Sequence, residues 1–103
     1  MKHIVVKRDE RILGVVRINT ALRHGLEDAY GGVTFGDIAQ RSFTIAREED
    51  IVFDVVSRMS RRRAAMAVVT KGHGNPRASH VVGIISKEHI ADSVADSIRP
   101  YGK

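Results

Sequence analysis

Two stretches of this chain carry the same order of apolar and polar positions. From Met66 an apolar run (Met66, Ala67, Val68, Val69) gives way to a polar loop from Lys71 to His80, and a second run (Val81, Val82, Gly83, Ile84, Ile85) ends at Ser86. Apolar run, turn-formers and apolar run in this order predict a β-hairpin. Ser86 suits the N-cap of a following helix, because its hydroxyl accepts from an otherwise unpaired first-turn amide. Near the start, Ile4-Val5-Val6, a charged turn from Lys7 to Arg11, and Ile12-Leu13-Gly14-Val15-Val16 repeat that order. A helix capped by Asn19 or Thr20 is expected next. Aligning Gly14 with Gly83 superimposes the two units, so the chain carries an internal repeat. The runs are continuous rather than alternating, which predicts strands covered on both faces. The 82–85 strand is expected to be central and buried.

Between the copies, Thr44-Ile45-Ala46 reads as a short strand and Ile51 to Met59 as an amphipathic helix. Ile51, Val55 and Met59 form one stripe, with Val52 and Val56 beside it. Glu48, Glu49 and Asp50 are expected at its N-terminus, where the macrodipole favours negative charge, and Arg58 and Arg61 to Arg63 toward its C-terminal end. In the first helix Ile18, Leu22 and Leu26 share a face. Gly31, Gly32 and Gly36 mark a linker over 31–42, with a short helical turn at Asp37 to Gln40. The last helix buries Ile90, Val94 and Ile98 with Ala91 and Ala95, and Pro100 stops it, leaving Tyr101 to Lys103 as a frayed tail.

Composition narrows the classes. At 103 residues the chain is one domain-sized unit, and with 5% aromatics and no Trp its core must be aliphatic. It has no Cys, which excludes disulfides and thiolate metal sites. No apolar run approaches the roughly 20 residues of a membrane helix, and MKHIVVKRDE lacks a signal-peptide stretch, so a cytoplasmic setting is expected. The formal charge of +5 invites a nucleic-acid reading. The cations are scattered among acids apart from Arg61-Arg62-Arg63, and no aromatics interleave to stack on bases. Nucleic acid is not the expected partner.

Ser86, His89 and Asp92 are the residue types of an acyl-transfer triad. Three-residue spacing sets them along one helical strip with no oxyanion hole, and Ser86 as N-cap is the plainer account. The histidines His3, His24, His73, His80 and His89 show no i, i+4 pair, so no metal site is expected. Gly72 and Gly74 lack the strand-to-helix setting of a phosphate-cradling loop. No catalytic residue is assigned, and the chain is not expected to be an enzyme.

Strand, helix, strand, strand, helix is the order of the cystathionine-β-synthase-type (CBS) domain. Thr44-Ile45, Asp54-Val55-Val56 and Met59 resemble that domain's opening strand and helix. Ala67-Val68-Val69 and Val82-Gly83-Ile84-Ile85-Ser86 resemble its hairpin and the start of its last helix. The resemblance implies an α+β fold, with small sheets packed on helices. On that resemblance residues 43–99 are expected to form a complete βαββα module, and 1–30 the ββα second half of a first module whose front half is missing, as in a fragment or truncated copy.

Many CBS pairs hold adenosine nucleotides between modules, so the resemblance also implies a site for AMP, ADP or ATP as a regulatory ligand. On this chain it maps to Ser42, Phe43, Ala65, Met66, Gly83, Ile84, Ile85 and Ser86, with Arg62 and Arg63 toward the phosphates. His89 stands where the family's ribose-binding Asp is expected, which predicts weak binding, and no cofactor is required. The segment from Gly36 to Ile98 is most similar to the cytoplasmic tail of bacterial CLC-type chloride channels or antiporters. That likeness implies an attached membrane transport domain whose activity the modules adjust. Rival readings are a free-standing adenine nucleotide sensor and a structural dimerisation module with an empty cleft. A homodimer is expected, with Ile4, Val6, Leu13, Val15 and the Leu22/Leu26 stripe buried across it or against the complete module.

Overall fold

The computed structural model of the chain describes residues 3–28 and 31–91. β1 (His3–Arg8) and β2 (Arg11–Arg17) form a two-stranded antiparallel sheet closed by a turn at Asp9–Glu10. Asp9 sits in the left-handed region at φ 54°, which Asp tolerates better than most residues because its short side chain bonds locally. β2 then runs straight into α1 (Ile18–Glu27). After the short α2 (Phe35–Ile38), β3 (Phe43–Arg47), α3 (Val52–Arg62), β4 (Met66–Thr70) and β5 (Val81–Ser86) build a three-stranded sheet. Residues 87–91 continue as helix α4. The βαββα order matches the expected α+β module.

The repeat holds down to its irregularities. Val6 pairs Gly14 and Lys7 pairs Ile12, leaving Leu13 bulged; Val69 pairs Gly83 and Thr70 pairs Val81, leaving Val82 bulged. Each bulge precedes the glycine of its unit. An extra residue of this kind increases local twist and bends the strand.

The central strand is β4, not the 82–85 strand. β3 joins β4 in parallel from one side through the α3 crossover, and β5 joins it antiparallel from the other. Ala67 and Val68 are wholly buried, whereas Val82 is 53% exposed. β4 divides its side chains between two layers by the period-2 rule. Ala67 joins Ala46, Val55 and Met59 under α3, with Val69, Ile85 and Ile90 against them. Met66 and Val68 meet Val15 of the first hairpin, with Ile12, Phe43, Ile45 and Ile84 around them. The three-stranded sheet is thus covered by helix on one face and by the β1–β2 hairpin on the other.

Three helix starts differ from expectation. α1 begins at Ile18 with Arg17 as an uncapped N-cap; Asn19 and Thr20 already lie inside the helix because no loop separates it from β2. The N-cap of α3 is Ile51, so Glu48, Glu49 and Asp50 lie in the preceding turn and Asp54 alone is acidic in the first helical turn. The Asp50 carboxylate instead accepts from the Arg47 N–H at 2.8 Å and lies 3.6 Å from the Arg58 guanidinium. α2 starts two residues before the expected turn, under a reciprocal Thr34–Asp37 capping box.

The Arg47 guanidinium bonds the Thr70 hydroxyl at 3.2 Å and the carbonyls of Gly72 and Gly74, bracing the β4–β5 loop. Val15 is buried within the chain, while Leu22 and Leu26 are 60% and 87% exposed. Asp92, Val94, Ala95, Ile98 and Pro100 lie outside the described residues.

Candidate functional site

β3 and β4 begin, and β5 ends, at one edge of the sheet. Phe43 pairs Met66, and Met66 pairs Ser86. Beyond them the Ala65 N–H donates to the Ser42 carbonyl at 2.9 Å and the Lys87 N–H to the Ala65 carbonyl at 3.2 Å. Ser42, Phe43, Ala65, Met66 and Ser86 are therefore neighbours at this end of the sheet. Met66 and Ser86 are buried, Phe43 and Ala65 are half-buried, and Ser42 is exposed. Ile84 and Ile85 point to opposite layers.

Ser86 caps α4, and His89 reciprocates. The His89 N–H donates to Ser86 Oγ, and the Ser86 N–H donates to His89 Nδ1. The His89 ring also stands edge-on to the His3 ring, with centroids 5.6 Å apart. In this state the imidazole belongs to the helix end and to β1.

The arginines spread away from that cluster. Arg62 donates to the Thr44 hydroxyl at 3.4 Å, beside Arg58, which donates to the same oxygen at 3.3 Å and to the Ile45 carbonyl. Arg63 ends α3 in the left-handed conformation at φ 52°. Its carbonyl accepts from the Ser42 hydroxyl at 3.1 Å, and it shares a cavity of about 230 Å³ with Lys87, Met59 and Ile90.

A larger cavity, about 420 Å³, opens between the two repeat units, lined by His3 and Val5 of β1 and by Ala78 and residues 81–84 of the second unit. Gly83 and Ile84 are the only sequence-predicted site residues that line it. Polar contacts tie the units together around it. The Glu10 carboxylate accepts from the Ser79 hydroxyl at 2.6 Å and from its N–H at 3.3 Å, and the Glu10 carbonyl accepts from the Ala78 N–H at 2.9 Å. The Ser79 bonds hold the Glu10 carboxyl below the usual carboxylate range. Arg17 pairs with Glu88.

Sequence reasoning missed His3, Gln40, Thr44 and Arg58 as parts of this region. His3 corresponds to Met66 only through the strand registers, in which Val6 pairs Gly14 and Val69 pairs Gly83, so the sequence offered no signal for it. Among the described residues no group of three or more His, Asp or Glu is placed to hold a metal ion, and no helix is long and apolar enough to cross a membrane.

Residues 35–96 match the CBS domain family. The chain belongs to that family. No curated protein matches it significantly. Among solved structures, the chain is similar to the CBS domain of a protein assigned as a transporter in Clostridium difficile 630 (TM-score 0.61, 17% identity, 95% of this chain and 71% of that one). It is similar, too, to the CBS domain of a bacterial CNNM/CorC family Mg2+ transporter (0.60, 19%, 91% and 55%). A third is a hemolysin-like CBS protein of Oenococcus oeni PSU (0.60, 21%, 89% and 64%). At these identities the likeness establishes the CBS fold, and the chain spans little more than half to two thirds of the last two relatives.

Proposed function

We propose that this CBS region is a regulatory module of a membrane transport protein. The observation that carries the reading is the packing of two repeat units across one apolar layer, Val15 on Met66 and Val68, with a cavity left between them at Gly83. A ligand or partner that binds one packing better than the other shifts the equilibrium between them, and an attached domain senses the shift. Of two attachments, a CNNM/CorC-type cation transporter has the support of several similar structures of that family's CBS domain. A CLC-type tail rests on the sequence resemblance alone. Removing residues 1–103 from the parent protein should change its transport rate while leaving its insertion intact; unchanged flux defeats the regulatory reading.

An adenine nucleotide is the regulatory ligand to test first. One similar structure, at 20% identity, is a CNNM/CorC CBS domain in complex with ATP, and here Ala65, Met66 and Ser86 gather at the sheet edge. With His89 committed to the helix cap and Arg62 to Thr44, affinity should be weak. Calorimetry with AMP, ADP and ATP decides it; no heat up to millimolar nucleotide favours the dimerisation module over the sensor. Exposed Leu22 and Leu26 on α1, with Ile51, Val52 and Phe53 at the start of α3, are the apolar surface a homodimer would cover. Light scattering reads that state directly.

A further inference from the structure

At one end of the contact between the two repeat units, two imidazoles meet. His3 of β1 and His89 of α4 stand edge to face, with ring centroids 5.6 Å apart and ring planes at 76°. The His89 ring has a second task. Its Nδ1 accepts from the Ser86 N–H at 3.1 Å, while the His89 N–H donates to the Ser86 hydroxyl at 3.3 Å. A neutral imidazole accepts at one nitrogen and donates at the other, whereas an imidazolium donates at both. The bond from Ser86 therefore requires a neutral His89 with its proton on Nε2.

A proton added to that ring lands on Nδ1 and faces the Ser86 N–H, donor against donor, so the bond is lost. Ser86 is buried, and a buried N–H without an acceptor is costly. The added charge also has poor company among the described residues. It stands against the His3 ring, itself an ionisable group. Lys87 and Glu88 precede it on α4, and Arg17, at the end of β2, pairs with His3 in the register. The Glu88 carboxylate is already taken by Arg17.

The place of this contact gives it reach. The Glu10–Ser79 bonds tie the units at the turn end of β1 and the start of β5, and His3 and His89 meet at the opposite ends of the same strands. His3 also lines the 420 Å³ cavity between the units. Loosening the imidazole end alone lets the units part about the Glu10–Ser79 end, which alters that cavity.

We propose that Ser86, His89 and His3 form a proton-operated switch. Neutral His89 holds β1 against α4, and protonation across about pH 8 to 5, where imidazoles change charge, releases the two units at the cavity. The switch is independent of which transport protein carries the module.

Amide NMR of the 103-residue chain from about pH 8 to 5 tests it. The Ser86 and His89 amides should shift along one titration curve. Val5 and Gly83, which line the cavity from the two units, should follow it in wild type and stay still in His89→Gln. Glutamine offers the Ser86 N–H an acceptor at every pH, as in an ordinary capping box. Across the same range the wild-type melting temperature should fall about 4–8 °C further than that of His89→Gln, the shift that one lost bond makes in a domain of this size. Four results would overturn the proposal: a Ser86 amide that does not move while the His89 ring titrates; shifts at Ser86 and His89 with Val5 and Gly83 unmoved, which confines protonation to the helix cap; the same Val5 and Gly83 shifts in His89→Gln, which assigns them to another histidine; or melting curves of the two proteins that stay parallel.

Discussion

Ser86 and His89 close the first turn of α4 from both directions: each backbone N–H donates to the other residue's side chain, at 3.1 Å into Nδ1 and 3.3 Å into Oγ. His89 thus takes the place that Glu or Gln holds in an ordinary capping box. Ser86→Ala should cost about 0.5–2 kcal/mol and His89→Ala about 0.5–1.5 kcal/mol. His89→Glu should retain the cap and add about 0.3–1 kcal/mol from the helix dipole. Urea unfolding of the three variants checks the order; His89→Glu below His89→Ala would show the cap to be unimportant.

Met59 is the largest fully buried side chain among the described residues and seats α3 on Ala46 and Ala67. Met59→Ala should lose about 2–5 kcal/mol, the range for deleting a packed apolar side chain. A loss under 1 kcal/mol in denaturant titration would mean that α3 is not anchored there.

The exchange of centre and edge in the sheet has its own consequence. Val68→Asp puts a carboxylate at a wholly buried site on β4 and should abolish soluble folded protein. Ile84→Asp, on the partly exposed β5, should fold with reduced stability. Circular dichroism of the soluble fractions separates the two, and equal behaviour contradicts the strand order.

Glu10 links pH to the contact between units. Its folded pKa lies below the ordinary value because the carboxylate accepts from Ser79 twice, so its contribution is present above the unfolded glutamate pKa. That contribution is lost as pH falls through the folded value. Wild type should lose stability across the acidic carboxylate range more steeply than Glu10→Gln. Parallel melting curves for the two from neutral to acid pH would remove the link.

Arg63 is a non-glycine residue in the left-handed cap position of α3. Arg63→Gly relieves the Cβ crowding and should raise stability by about 0.5–1 kcal/mol. If nucleotide phosphates sit on Arg63, the same variant should weaken ATP binding, so calorimetry and melting together report both roles.

Local signals in the sequence were enough for both hairpins, because continuous apolar runs flanked by turn residues leave few other solutions. The Gly14/Gly83 correspondence was legible for the same reason, though the bulges beside those glycines leave no mark in composition. Strand order was not legible: Met66–Val69 and Val81–Ile85 are equally apolar, and their rank depends on where β3 docks, a non-local fact. The acids before Ile51 misled because Asp50 satisfies Arg47 and Arg58 rather than a helix end. At the candidate site, the adjacency of Ser42, Ala65, Met66 and Ser86 comes from the strand registers, and the turn of Arg62 toward Thr44 depends on a hydroxyl with no distinguishing sequence context.

Arg47 carries a consequence for how the chain may be cut. Its guanidinium grips the carbonyls of Gly72 and Gly74, one on each side of exposed His73, so a break at His73 would leave both new ends held by one side chain from a different strand. The β4–β5 loop is then a natural place to open the polypeptide for circular permutation or split-protein reassembly, with Arg47 serving as the clasp.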